Sequence, residues 1–284
     1  MEKKKKKRII WGVVLSLLGV LAVWTAWTNL HITVSHYEIS SPKLPAEFGG
    51  YKIAQVSDLH NRDWGEKLLG PLREEQPDLI VITGDLTDSQ HADFPAVLEF
   101  LNGAMEIAPV YYVTGNHEAW METWPELEEK MEKAGVHMLD DRAVQLKRGN
   151  AHICLSGLED PDFTDRNPRV HEAVAETKLA SLLEKDGFNI VLCHRPELFS
   201  AYVNAGADLV LTGHAHGGQI RLPFLGAVYA PDQGFFPKYT EGLYREGGTD
   251  MAVSRGLGNS VLPVRINNPP ELVILTLEAE KNGA

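Results

Sequence analysis

Hydrophobic and polar positions divide the chain into two unlike parts. From Ile9 to Leu30, IIWGVVLSLLGVLAVWTAWTNL, there is no charged residue, and a helix of about 20 apolar residues crosses a bilayer core. Beyond it the pattern breaks into short apolar runs, each ending in polar residues. Tyr51–Val56 (YKIAQV) runs into SDLH, Asp78–Ile82 (DLIVI) into TGDLTD, and Pro109–Val113 (PVYYV) into TGNHE. Asn189–Leu192 (NIVL) runs into CHRPE and Asp208–Leu211 (DLVL) into TGHAHGG. Between them, stretches such as WPELEEKMEKAG and ETKLASLLEKD have helical spacing. Strands alternating with helices predict βαβ units in a layered α/β domain. The organisation this gives is a basic segment at 1–8, a transmembrane signal anchor at 9–30 and a connector at 31–49, followed by one domain at 50–284. The connector is expected to hold a short strand around Thr33–Ile39.

Lys3–Arg8 precede the apolar run, and positive flanks of a first span stay in the cytoplasm. Trp24 and Trp27 suit the opposite membrane–water interface. The predicted location is therefore the cell membrane, single-pass, with everything after about His31 outside the cytoplasm. A cleaved signal peptide is the competing reading. Against it, the run is long for such a segment, and bulky Trp24 and Trp27 spoil most small-x-small cleavage windows.

Composition narrows the class further. The 284 residues are 44% hydrophobic and 23% charged, which is ordinary globular usage. Residues 1–8 contribute +5 to a net charge of −12, which leaves −17 on the rest. So acidic a body is a poor binder of nucleic acid, and none is expected as a partner. Cys154 and Cys193 are too few for a disulfide framework, and each sits in an apolar run as a small core residue.

The polar tips carry the chemistry. Ligand sites in α/β sheets lie at the carboxyl ends of strands, so five such tips can converge on one edge. Asp58, His60, Asp85, Asn116, His194, His214 and His216 offer carboxylate, imidazole and amide donors but no thiolate. That set suits Mn, Fe, Zn or Ni. Seven ligands are too many for one ion with open positions. They fit two divalent ions about 3.5–4 Å apart, sharing a carboxylate and a water, as used for in-line displacement at phosphorus. Asp58 and His60 are two apart and, in extended chain, point the same way. Gly84, Gly115 and Gly213 are expected to let the chain turn tightly beside the ions.

The order DLH, GDLTD, GNHE, CHRP, GHAH resembles the calcineurin-like metallophosphoesterase superfamily, over about residues 50–277. The tail GHAHGGQIRLPFLGAVYAPDQGFFPKYTEGLY is similar to a membrane-associated bacterial subgroup that includes UDP-2,3-diacylglucosamine hydrolases. The resemblance implies a four-layer αββα sandwich. It implies that Asp58, His60, Asp85 and His216 hold the first metal, and that Asp85 bridges to a second completed by Asn116, His194 and His214. His117 would stabilise phosphoryl oxygens or protonate the leaving group, with Asn116 reaching a substrate oxygen. Asp88 would support the ligands from behind, and Arg195 is a candidate phosphate contact. The implied reaction is phosphodiester or pyrophosphate hydrolysis, with a hydroxide bridging the metals as nucleophile.

Glu118 and Asp63 are read as local hydrogen-bonding or solvated carboxylates, and His31, His36, His91, His137, His152 and His171 as incidental. The segment Arg221–Tyr239, rich in Pro, Phe and Gly, is either a packed surface loop or an apolar wall for a lipid-linked substrate. A non-catalytic metal-binding or scaffolding module is the alternative from another class. A missing ligand or a replaced His117 would favour it, and neither occurs.

Overall fold

A computed structural model describes residues 2–259 and 264–280; the ends of the predicted domains at 1 and 284 lie outside these residues, as do 260–263. The apolar run forms one helix, α1 (Glu2–Thr28), which begins inside the basic segment. It ends at Thr28, two residues before Leu30, and the next residue, Asn29, reaches the domain with its side chain. The Asn29 amide donates to Arg265 O at 2.7 Å, and its Oδ1 accepts from Arg265 N at 3.0 Å. The chain covers none of the apolar window within Lys4–Thr28, so length and composition make it a candidate membrane span.

The domain then runs β1 (Thr33–Ser41), β2 (Tyr51–Val56), α2 (Glu66–Glu75), β3 (Leu79–Thr83), α3 (Phe94–Met105), β4 (Val110–Val113), α4 (Asn116–Trp120), α5 (Trp124–Ala134) and β5 (His137–Met138). It continues through β6 (Arg142–Arg148), β7 (Ala151–Gly157), α6 (Pro168–Leu182), β8 (Asn189–Leu192), α7 (Phe199–Ala205) and β9 (Leu209–Thr212). Two short hairpins follow, β10 (Arg221–Leu222) with β11 (Gly226–Ala227) and β12 (Tyr229–Ala230) with β13 (Gly234–Phe235). The chain closes with β14 (Gly242–Glu246), β15 (Thr249–Val253) and β16 (Glu271–Ala279).

Two six-stranded mixed sheets result, ordered β1-β16-β2-β3-β4-β5 and β14-β15-β9-β8-β7-β6. Period-2 burial explains why they stack. Ile53, Leu79 and Val81 of the first sheet pack inward against Ile190, Leu192, Leu209 and Leu211 of the second. Their neighbours Ala54, Val56, Ile80 and Ile82 face outward onto Leu68, Val97, Leu101 and Leu127 of the first helical layer. Val191, Cys193 and Val210 do the same against Leu179, Phe199 and Tyr202 of the second. Both faces of each sheet are thus covered, giving four layers, αββα, as the resemblance implied. The connector is more than a linker: β1 pairs in parallel with β16 from Thr33↔Glu271 to Ser41↔Ala279. A boundary at residue 50 would therefore cut the first sheet.

Gly157 of β7 packs directly against Val113 and Leu139 of the facing layer. A Cβ there would lie 2.5 Å from Val113 Cγ1 and 2.6 Å from Leu139 O. Gly157→Ala is expected to cost about 1–3 kcal/mol of overpacking strain, read as a lowered thermal midpoint. An unchanged midpoint would show that the sheets separate freely at this point.

Candidate metal centre

The carboxyl ends of β2, β3 and β4 bring Asp58, His60, Asp85 and Asn116 to one cleft, and those of β8 and β9 bring His194, His214 and His216 from the opposite sheet. The local backbone differs from the expected one. Asp58 and His60 do not lie in extended chain; both have positive φ (51° and 46°), as do Asp85 (51°), His214 (63°) and His216 (48°). Such conformations are unfavourable for residues with a Cβ and persist where surrounding structure over-determines them. Only Gly84 needs a left-handed turn, at φ +85°. Gly213 and Gly115 matter for close approach instead: a Cβ on Gly213 would lie 2.5 Å from Asp58 Oδ2, and one on Gly115 2.7 Å from Asp85 N.

The predicted ligands form two groups that share one carboxylate. Asp58, His60, Asp85 and His216 each offer an atom within 4.8 Å of the others, and so do Asp85, His194 and His214. In the first group, Nε2 of His60 and of His216 are 3.1 Å apart, and His216 Nε2 is 3.3 Å from Asp58 Oδ1. In the second, His214 Nδ1 is 3.1 Å from His194 Nε2, which is 3.3 Å from Asp85 Oδ2. His194 Nδ1 is 2.7 Å from Thr83 O, which fixes the ring with Nε2 toward Asp85. The Asn116 Oδ1 is buried without a hydrogen-bond partner among the described residues. Buried acceptors are rarely left so, and a cation is the partner this chemistry suits.

The electrostatics match a cation site. Burial lowers His60 to about 4. It also holds His216 well below the usual range, with His60 and Arg265 adding to the effect. Burial also opposes the charge on His194, but the Asp85 carboxylate outweighs it and raises that imidazole to about 10. Burial likewise pushes Asp85 upward, yet His194 and His117 bring it well below the carboxylate range. Asp58 is raised by burial. Among these groups, His194 does most to hold Asp85 in its charged form.

Several residues that hold this arrangement were not visible in the sequence pattern. The Glu118 carboxylate, buried in α4, accepts from the backbone N–H of Gly115 (2.8 Å), Asp85 and Leu86 (both 2.9 Å). It ties the GD and GN tips together, despite burial and Asp85 pushing its own pKa up. Asp232, at the tip of the β12–β13 hairpin, lies 2.9 Å from His214 Nε2, so the ring presents Nδ1 to His194. This is a carboxylate–histidine pair of the kind that orients metal ligands. The hydrogen bond from His214 lowers Asp232 well below its ordinary range. Arg265, buried, approaches His216 Nδ1 at 3.3 Å, and Asn268 donates to His216 O at 2.7 Å. Asp232, Arg265 and Asn268 lie in loops with no motif spacing. Glu118, expected as a local hydrogen-bonding or solvated carboxylate, is the former, and its bonds reach beyond its own turn to the GD tip.

Of the other expected roles, His117 lines the cleft and its Nδ1 accepts from Ser89 N at 3.1 Å. Asp88 Oδ2 is 3.8 Å from that nitrogen, too far for a hydrogen bond, while its Oδ1 accepts from Gln90 N. Arg195 is buried with Nε and Nη2 on Asp160 (2.7 and 2.9 Å) and Nη1 on Asp232. Its donors are committed to carboxylates rather than presented to a phosphate. Asp63 accepts from Gly65 N at 2.8 Å and stays at the surface. The cleft, a cavity of about 470 Å³, is walled further out by Trp120, Arg166, His171 and Tyr229.

Residues 51–218 match the family described as calcineurin-like phosphoesterase. The chain belongs to that family. YkuE of Bacillus subtilis (strain 168), named an uncharacterized metallophosphoesterase, is 31% identical over 265 residues, 87% of this chain and 86% of its own. YaeI of Escherichia coli (strain K12), named a phosphodiesterase, is 30% identical over 207 residues, 72% of each chain. A Danio rerio protein named transmembrane protein with metallophosphoesterase domain is 30% identical over 253 residues, 85% of this chain and 56% of its own. In fold, the crystal structure of TT1561 of Thermus thermophilus matches with a TM-score of 0.51 at 17% identity, over 73% of this chain and 90% of that one. As a member of this family the chain is a metal-dependent hydrolase of phosphoester bonds.

Glu118→Gln would turn an NH₂ group onto backbone N–H donors. Leaving buried donors unpaired costs about 1–3 kcal/mol, and loss of such a positioning group weakens metal binding about 10–100-fold. Thermal unfolding and competition with a chelator measure the two effects. Unaltered metal affinity would show that Glu118 does not position Asp85.

Proposed function

We propose that this phosphoesterase is a membrane-anchored phosphodiesterase or pyrophosphatase that works with two divalent ions and acts on a lipid-linked phosphoester. The observation that carries the dinuclear reading is the pair of ligand groups sharing Asp85, with the Asn116 Oδ1 left for an ion. Asp58, His60, Asp85 and His216 would hold one ion. Asp85, Asn116, His194 and His214 would hold the other, the metals being drawn from Mn, Fe, Zn or Ni. When bound, such a pair activates water and offsets charge developing on the phosphoryl oxygens.

The side chains supply the rest. Ser89 N–H occupies His117 Nδ1, so the neutral ring carries its proton on Nε2, the form that donates to a phosphoryl or leaving oxygen. With Asn116 Oδ1 on an ion, its Nδ2 is left as a donor to substrate. Arg166, exposed on the cleft wall and not paired in the way Arg195 is with Asp160, is the better-placed phosphate contact of the two arginines that line the cleft.

The apolar helix α1 and the relatives named transmembrane proteins support anchoring. The six cations before the apolar run favour an extracytoplasmic domain. An outward-facing cleft favours headgroup phosphoesters at the outer surface. A cytosolic lipid such as UDP-2,3-diacylglucosamine, to which the tail resemblance pointed, would require the opposite orientation.

The test uses the full chain in detergent. Metal analysis is expected to find two ions, with bis-p-nitrophenyl phosphate hydrolysis abolished by chelator and restored by Mn²⁺. His117→Ala should retain the metals while turnover falls about 10²–10⁴-fold. Two bound ions without hydrolysis would overturn the enzyme reading, and loss of both metals in His117→Ala would overturn the role given to His117.

A further inference from the structure

A short series of backbone hydrogen bonds links the membrane helix to the metal cleft. Asn29, just past α1, holds Arg265 by its backbone N and O. One residue on, Ile266 pairs in parallel with Ile220: Ile266 N donates to Gln219 O (3.1 Å) and Arg221 N to Ile266 O (3.0 Å). Val228 N then donates to Ile220 O, and Phe236 N to Val228 O, both at 2.9 Å. Four segments lie side by side, at 266, 220, 228 and 236. At about 4.8 Å per step, their backbones extend about 14 Å from the strand beside the end of α1.

This row turns large apolar side chains to the outside. Phe224 is fully exposed, Leu225 66%, Phe235 75% and Phe236 67%. Clustered exposure of this kind marks an interaction surface. At the inner edge, Tyr229 lines the metal cavity and packs edge-on against Phe235, with ring centroids 5.4 Å apart. The hydrogen-bonded row that carries these side chains thus runs from the end of α1 to the rim of the cleft.

We propose that the β10–β11 and β12–β13 hairpins seat in the bilayer surface beside α1 and open the metal cleft onto the lipid headgroup layer. Continuity identifies the occupant. Trp24 and Trp27 place the last turns of α1 at a membrane–water interface, and the Asn29–Arg265 clamp ties the hairpin row to that level. Aromatic side chains are what such an interface accepts. The inference rests on reading α1 as a membrane span.

The test places a nitrobenzoxadiazole label at single introduced cysteines in the full chain, reconstituted in phosphatidylcholine vesicles. Both native cysteines are buried and leave the background low. Phe224→Cys and Phe236→Cys probe the two hairpins and keep the test independent of either variant's folding, checked by gel filtration. Leu17→Cys probes the middle of α1. Lys185→Cys, exposed before β8 at the end of the sheet away from the cleft, is the aqueous reference. Labels on both hairpins are expected to emit to the blue of Lys185→Cys and to be quenched about twofold by lipids carrying a shallow doxyl group. Hairpin labels that behave like Lys185→Cys while Leu17→Cys is quenched would overturn the inference and leave the anchor intact. A Leu17→Cys label that a deep doxyl lipid fails to quench would overturn the anchor and the inference with it. Blue-shifted hairpin labels that ignore doxyl lipid and revert when the protein is diluted would assign the patch to a second copy of the chain, and so also overturn it.

Discussion

Two imidazole nitrogens 3.1 Å apart, Nε2 of His60 and of His216, cannot both present lone pairs without something positive between them. The same holds for His194 and His214, also 3.1 Å apart, with Asp85 between the two pairs. Burial makes this more demanding, because unpaired polar groups out of water are costly. The protein keeps the donors together by covering them with two sheets and bending the chain into left-handed conformations at Asp58, His60, Asp85, His214 and His216. Glu118 fixes two of the tips to each other through their backbone N–H groups, and Asp232 and Arg265 set the outer faces of His214 and His216. Divalent cations are the simplest compensation for such an arrangement, and phosphoester chemistry is what the family does with them.

Much of this was legible in the sequence because strand and motif signals are local. YKIAQV and NIVL fall on β2 and β8 without adjustment, and WPELEEKMEKAG on α5 within a residue. The residues brought together at the cleft are those that ended the apolar runs. What stayed hidden depends on contacts between distant segments. The strand expected in the connector is there as β1, but its pairing with β16, near the other end of the chain, was not visible in it. Asp160 and Asp232 are ordinary loop carboxylates in sequence, yet together they pair with the Arg195 guanidinium at the edge of the cleft. The extended geometry assumed for Asp58 and His60 failed because strand β2 stops at Val56, before the ligands begin.

On the proposed reading of α1 as a membrane span, the placement of the cleft gives that helix a purpose. A soluble enzyme of this fold would meet its substrate by diffusion, whereas a membrane helix ending beside the cleft would restrict encounter to the membrane surface. The hairpins contribute to both ends of that relation: Asp232 orients a candidate ligand from one tip, and the aromatic side chains around it face outward. Displacement of the hairpins would therefore alter His214 as well as the surface.

The central claim is that Asp85 joins two ions into one centre. Electron paramagnetic resonance of the Mn²⁺-loaded chain tests it most directly. The account predicts a spin-coupled pair, consistent with ions about 3.5–4 Å apart, that is replaced by uncoupled signals in Asp85→Asn. A simple six-line spectrum of isolated Mn²⁺ at saturation in the unaltered chain would contradict it.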